Sequence, residues 1–172
     1  MSKIKRFQIL SVIFVWIVGT LLHFTHDWFP NSVVYTVISA VNESTWEHLK
    51  LLFFPMLIST IIGFSYKGKV IPNYLCAKVL GIILAMSFVV IFFYTYVGII
   101  GTNFAIVDIG SFFIAVGLGQ YVAYQKMQST SSCSNVIPII ILLVLCSCFL
   151  IFTFFPLHIA LFEDPIIGSF GI

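Results

Sequence analysis

Residues 136–157 read Val-Ile-Pro-Ile-Ile-Ile-Leu-Leu-Val-Leu-Cys-Ser-Cys-Phe-Leu-Ile-Phe-Thr-Phe-Phe-Pro-Leu and carry no charged side chain. A helix rises about 1.5 Å per residue, so roughly 20 apolar residues cross the hydrocarbon core of a bilayer. This run, Val136–Leu157, has that length. Four more stretches share its character, at Phe7–Phe29, Thr45–Tyr66, Leu75–Ile100 and Asn103–Tyr124. The expected fold is all-α, a polytopic transmembrane bundle of five spans.

Composition points the same way. The 172 residues are 60% hydrophobic and 8% charged, with a mean hydropathy of +1.13. Soluble domains carry about 25% charged residues, so the solvent of this chain is the lipid bilayer. No polar stretch is long enough to fold a soluble domain, and a single membrane domain over residues 1–172 is expected. No nucleic-acid partner is expected. Gln125–Asn135 is polar and Ser-rich and reads as a loop, while Gly101 and Asn103 make a tight turn. Pro30–Asn42 and Ile159–Ile172 are apolar but do not fit a spanning helix; each lies in the interface or folds back over the bundle mouth.

Basic residues set the orientation. With a cytoplasmic N-terminus, Lys3, Lys5, Arg6, Lys67, Lys69, Lys78 and Lys126 all fall inside, as the positive-inside rule requires, and only Lys50 does not. Five spans then leave the C-terminus extracytoplasmic in a plasma membrane. The run Ile9–Leu22 resembles a signal peptide, but no small-x-small cleavage site follows and His23–Asp27 prolong the helix, so an uncleaved first span is expected. Cys76 and Cys133 lie on the cytoplasmic side, where no disulfide is expected. Cys146 and Cys148 sit within an apolar run, and no cysteine pair has C-x-x-C metal spacing.

The acids have no part in the positive-inside rule, yet Asp27, Glu43, Glu47, Asp108, Glu163 and Asp164 all fall on the outer side, with His23, His26, His48 and His158. Loops collect polar groups, which accounts for Asp27, Glu43, Glu163 and Asp164. It accounts less well for His23, Glu47, His48, Lys50 and Asp108, which lie on helices near or below the interface. The richest stretch is Asn42-Glu43-Ser44-Thr45-Trp46-Glu47-His48-Leu49-Lys50. Asn42 or Ser44 can cap the second span, and Ser44 with Glu47 matches a capping box. Glu47 and Lys50 share a face at i, i+3, so an ion pair is expected, with Asp108 as second partner for Lys50. His23 and Asp27 share a face of the first span, where Asp27 can orient the imidazole. Asp108, inside the fourth span, costs up to about 2.5–3.5 kcal/mol at mid-membrane and needs a partner. Lys50 and the outer histidines are the candidates by level. Trp46 and Phe53 are expected to wall such a pocket. Ala115, Gly119 and Ala123 form a small-residue seam, and Pro55 interrupts one backbone bond of the second span.

The motif Asn42-Glu43-Ser44-x-Trp46-Glu47-His48-x-Lys50, followed by Leu51-Leu52-Phe53-Phe54-Pro55, resembles a family of small bacterial integral membrane proteins of unknown function. His23 and Trp28 look like part of the same pattern. The resemblance extends over the whole chain and implies no activity.

Three functions remain in view. A metal-dependent, membrane-embedded hydrolase or transferase would use His23, Glu43, Glu47, His48 and His158 as ligands of zinc or another divalent ion. Glu47, His48, His23 and Asp108 would then be its catalytic candidates. A transporter or solute-binding subunit would use the same groups for a substrate or proton. An assembly protein would use them only to fix helix packing. H-E-x-x-H, P-loop and dinucleotide motifs are absent, and no outer Arg is present to clamp phosphate. The inner half offers no charge for a through-going polar path, which favours an enzyme or a binder of a lipid or small molecule at the outer face. Convergence of His23, Glu47, His48, Asp108 and His158 on one outer cavity is the deciding observation.

Overall fold

The computed structural model describes residues 3–66 and 68–171. Lys67, used above for orientation, and Ile172, the end of the last apolar segment, lie outside the described residues. Helices α1 (Lys3–Trp28), α2 (Val33–Ile38), α3 (Thr45–Tyr66), α4 (Tyr74–Ile100), α5 (Ala105–Met127) and α6 (Val136–Phe154) follow one another, with single 3-10 turns at Gly68–Val70 and Ala160–Phe162. All but α2 are long and apolar enough to cross a membrane. The all-α, five-span expectation holds. One end of the bundle carries Trp28, Thr45, Ile100, Ala105 and Phe154 and collects the acids together with Lys50; the other collects Lys3, Lys5, Lys69, Lys78 and Lys126.

Boundaries follow local chemistry. Helix α4 stops at Gly101, whose φ of 87° is open to glycine and whose N–H donates to Val97 O. Helix α6 stops short of the expected Leu157 because Pro156 pushes Phe155 out of helical geometry, to φ −131° and ψ 66°. Helix α3 runs unbroken through Pro55.

The tightest seam joins α4 to α5. A Cβ on Gly81 would strike Gly119 O, and one on Gly119 would strike Gly81 O, so both helices need a bare backbone there. Ala115 and Ala123 continue the seam, fully buried. The core between α1, α3, α4, α5 and α6 is Val15, Leu52, Phe53, Ile82, Val116 and Phe149.

Two expectations fail at the lysine-bearing end. Lys78 is no flanking charge but is fully buried, donating to Gln8 Oε1 and Gln120 Oε1 at 2.7 Å each. It lies 5.8 Å from the Phe7 ring centroid. The lysine-bearing half of the bundle therefore does hold a buried ionisable amine, its bonds supplied by Gln8 of α1 and Gln120 of α5. Cys76 and Cys133 are bonded. The contrary expectation rested on compartment alone. The loop after α5 folds across the start of α4, with Cys133 N donating to Pro72 O and Asn73 Nδ2 to Lys126 O. That brings the two Cα atoms to 6.4 Å, inside disulfide range.

Candidate functional site

Ser44 begins α3 by accepting the Glu47 N–H on its hydroxyl at 3.3 Å, while Asn42 Oδ1 accepts the Ser44 N–H at 2.9 Å. Only this half of the capping box forms. The Glu47 carboxylate instead accepts Val41 N–H at 3.1 Å and Lys50 Nζ at 2.5 Å. Lys50 is 0% exposed and Glu47 2%, so the expected ion pair is made, and made in the interior. Lys50 also donates to Thr36 O and Ser39 O. Ser39 in turn enters the backbone ladder of α1: its hydroxyl donates to Leu22 O and accepts the His26 N–H. The apolar segment after α1, which includes α2, is thus riveted to both α1 and α3. Glu47, expected among the ligands or catalysts, is absorbed by this scaffold.

His48 follows Glu47 and points elsewhere, because adjacent helical residues diverge by about 100°. Its Nδ1 lies 3.0 Å from Ser44 O, which calls for the proton there and leaves Nε2 with a free lone pair. That Nε2 is 3.5 Å from Glu43 Oε2. His23, reaching across from α1, places Nε2 3.9 Å from Glu43 Oε1. The two imidazole centroids are 5.2 Å apart. One ligand atom from each of His23, Glu43 and His48 lies within 4.8 Å of the others. A tetrahedral zinc ion with bonds of about 2.0–2.2 Å separates its donors by roughly 3.3–3.6 Å. The three groups are thus within a small side-chain adjustment of a metal site, and each is about one-third to one-half exposed.

Glu43 owes its position to the segment after α6, which returns over this end of the bundle. Asp164 Oδ2 accepts the Glu43 N–H at 3.0 Å, and its Oδ1 accepts Ile166 N–H and Ile167 N–H at 2.8 and 3.2 Å. Asn42 Nδ2 donates to Gly171 O, and Glu163 bridges to Phe170. Burial alone would raise the Asp164 carboxyl. The N–H donors of Glu43, Ile166 and Ile167, helped by His48, outweigh it and hold the group below its ordinary value. A lowered carboxyl stabilises the fold above its unfolded pKa, and that contribution is lost only as pH falls through the folded one. The strap is therefore anchored at neutral and mildly acidic pH.

His23, Glu43 and His48 form the polar head of a cavity of about 350 Å³. Phe24, Phe93, Phe112 and Phe113 supply its aromatic walls. Trp46 and Phe53, expected there, face away: Trp46 packs on Phe149, Phe152 and Phe162, and Phe53 on Phe149. Asp108 lines the cavity, but Lys50 and the histidines are not its partners. Tyr96 OH donates to Oδ1, and Asn103 Nδ2 donates to Oδ2 at 3.2 Å. His158 is outside the cluster, its ring 4.8 Å from that of Phe170, because α6 ends early and the chain turns back. Among the described residues His23 Nδ1 is buried without a hydrogen-bond partner, and Asp27 does not orient it as expected.

Tyr96 was legible but overlooked. It and Asp108 are equidistant from Thr102 at the centre of the turn between α4 and α5, so the two antiparallel helices bring them to one level. The anchoring role of Asp164 had no such signal, since the contact spans the whole chain.

The fold and site define a multi-span membrane protein whose His23, Glu43 and His48 could together hold a metal ion. Residues 1–172 match a family of unknown function (DUF6512), and the chain belongs to that family. No curated protein and no solved structure matches it.

Proposed function

We propose that this protein is a membrane-embedded, metal-dependent hydrolase or transferase. It holds one divalent ion, zinc foremost, on His23, Glu43 and His48. The observation that carries this reading is their convergence at the head of one cavity. Two imidazoles and one carboxylate, with a fourth position left for water or substrate, are a donor set of hydrolytic zinc sites. Such an ion lowers the pKa of its water to about 7 and polarises a carbonyl. In hydrolysis the water oxygen bonds to the carbonyl carbon, the bond to the leaving group breaks, and the water's proton ends on that group. Asp108, on the same cavity, is the carboxylate available to carry it. Glu47 and Lys50 position the segment that bears Glu43.

A transporter reading is weaker. Between the cavity and Lys78 stand Val15, Ile82, Ala85 and Val116, all fully buried and apolar.

The test is elemental analysis of the purified protein. About one zinc per chain is expected, and its absence after metal supplementation sinks the reading. Iron in its place would redirect the same donor set to oxygen chemistry. Asp164→Asn puts an amide N–H against the Glu43 N–H, and metal affinity is expected to fall about 10–100-fold, as for loss of a supporting group.

We take the whole chain as one membrane domain with the site facing outward, on the strength of the lysines. The Cys76–Cys133 bond sits at the lysine-bearing end, where a reducing cytoplasm would oppose it. On the outward-facing reading, a membrane-impermeant thiol label should reach a cysteine added near Ser169 in intact cells. Labelling only after lysis reverses the orientation.

A further inference from the structure

We infer that the cavity takes an acyl chain of a bilayer phospholipid, admitted sideways between α1 and α5, with the ester region of the lipid at His23, Glu43 and His48. The placement of the ester rests on the metal-centre reading; the chain site does not.

Exposed lining residues on both α1 (Thr20, Phe24) and α5 (Ile109) point to a side opening of the cavity between these two helices. Helices α1 and α5 touch where Trp16 Nε1 donates to Phe113 O at 3.2 Å and the two rings meet edge-on at 5.3 Å. Every α1 residue lining the cavity, from Gly19 to Phe24, lies on the acid-bearing side of that contact. So do Ala105, Asp108, Ile109 and Phe112 on α5. The Phe112 ring also lies against the bare backbone of Gly19, so Gly19, Phe112 and the Trp16–Phe113 pair together form the floor. Thr20, Phe24 and Ile109 line the cavity and are also exposed on the bundle surface. That surface faces lipid, since both helices are spans.

Depth fits one leaflet. Trp16 is twelve residues from the end of α1 at Trp28, about 18 Å at 1.5 Å per residue. Half of a hydrocarbon core is roughly 15 Å. The gap thus opens where the acyl chains of a single leaflet lie.

The walls suit a chain and nothing more polar. Of the three hydroxyl residues that line the cavity, the two on α1 and α5 are already spent on backbone, Thr20 Oγ1 donating to Trp16 O and Ser111 Oγ to Asp108 O, while Thr45 begins α3 beside the head. The remaining polar groups, Asn103 and Asp108 together with His23, Glu43 and His48, gather at the acid-bearing end. The approach from water is narrowed by Pro165 and Ile166 of the returning segment, which line the same cavity. A space of 350 Å³ holds on the order of ten non-hydrogen atoms at about 30 Å³ each. It takes the first part of a chain whose remainder stays in the bilayer through the open side.

The test uses the full-length protein in phospholipid nanodiscs. One preparation contains phosphatidylcholine with a diazirine in one acyl chain, another a diazirine fatty acid. After illumination the adducts are mapped by mass spectrometry. Adducts from the phosphatidylcholine are expected on Phe24, Ile109 and Phe112, above the level on lipid-facing Leu143. Thr20→Trp and, from the opposite wall, Ile109→Trp should cut cavity adducts about tenfold, as an overpacked side chain would. Leu118→Trp, lipid-facing and outside the cavity, should not. All three variants are checked for monodispersity in detergent. Adducts spread evenly over the lipid-facing helices and indifferent to Thr20→Trp and Ile109→Trp overturn the inference. So do cavity adducts from the fatty acid alone, which would deny the bilayer source. Metal content is measured on the same samples. A labelled protein that never holds metal sinks the metal centre and keeps the chain site; a loaded, unlabelled protein does the reverse.

Discussion

Lys50→Ala should remove most of the protein from the membrane, with a stability loss of about 3–5 kcal/mol, the cost of leaving one partner of a buried ion pair unpaired. Glu47 is 2% exposed and, among the described residues, makes no second ion pair. Its carboxylate would have to protonate or drag water into the core. Glu47→Gln should be milder, because the amide oxygen can still accept from Lys50 or from Val41 N–H. The double variant Lys50→Met/Glu47→Leu separates two contributions. It removes both charges, which by itself is often neutral or stabilising. It also strips partners from Thr36 O, Ser39 O and Val41 N–H, each worth about 1–3 kcal/mol if left buried and unsatisfied. Partial recovery is therefore expected, measured as membrane abundance and as melting temperature in detergent. Full recovery would mean that the backbone contacts of the pair contribute nothing. A Lys50→Ala protein as stable as the parent would mean that the pair is not buried.

That pair shows how far the sequence could be read. Spans were legible because hydrocarbon thickness fixes helix length, and the Glu47–Lys50 pair was legible because i, i+3 spacing is local. Ser44 as the cap was legible for the same reason. The direction of the Glu47 side chain was not, since it depends on Val41 and on the folded segment after α1. His158 looked equivalent to His48 by level along the bundle, but level says nothing of azimuth, and the early stop of α6 removed it from the cluster. The Cys76–Cys133 bond and the Lys78–Gln8–Gln120 group were invisible for a further reason: each joins residues far apart in sequence through a tertiary fold that no periodicity encodes. Convergence of His23, Glu43 and His48 could be posed from sequence as a condition, and only coordinates could meet it.

His48→Ala should behave in the opposite way to Lys50→Ala: the protein accumulates and melts near the parent temperature, but loses its metal. The imidazole is half-buried and its one backbone contact, Nδ1 to Ser44 O, is to a carbonyl near the helix start. Truncation there opens toward the cavity rather than into the core, so no large packing cost follows. Two ligands remain, His23 and Glu43, and these cannot close a structural or a catalytic zinc site, both of which use at least three protein ligands. Affinity should fall by at least about 100-fold, beyond the 10–100-fold that loss of a merely supporting group costs. Glu43→Gln should lose metal similarly, since an amide brings no charge, while its backbone N–H keeps its bond to Asp164 and the strap stays docked. Glu47→Gln, if it folds, should keep its metal, because Glu47 acts on the segment and not on the ion. The three variants are compared by elemental analysis and by competition with a zinc chelator of known affinity. If His48→Ala and Glu43→Gln hold zinc as tightly as the parent, the three side chains meet for packing alone, and the metal lies elsewhere or is not bound at all.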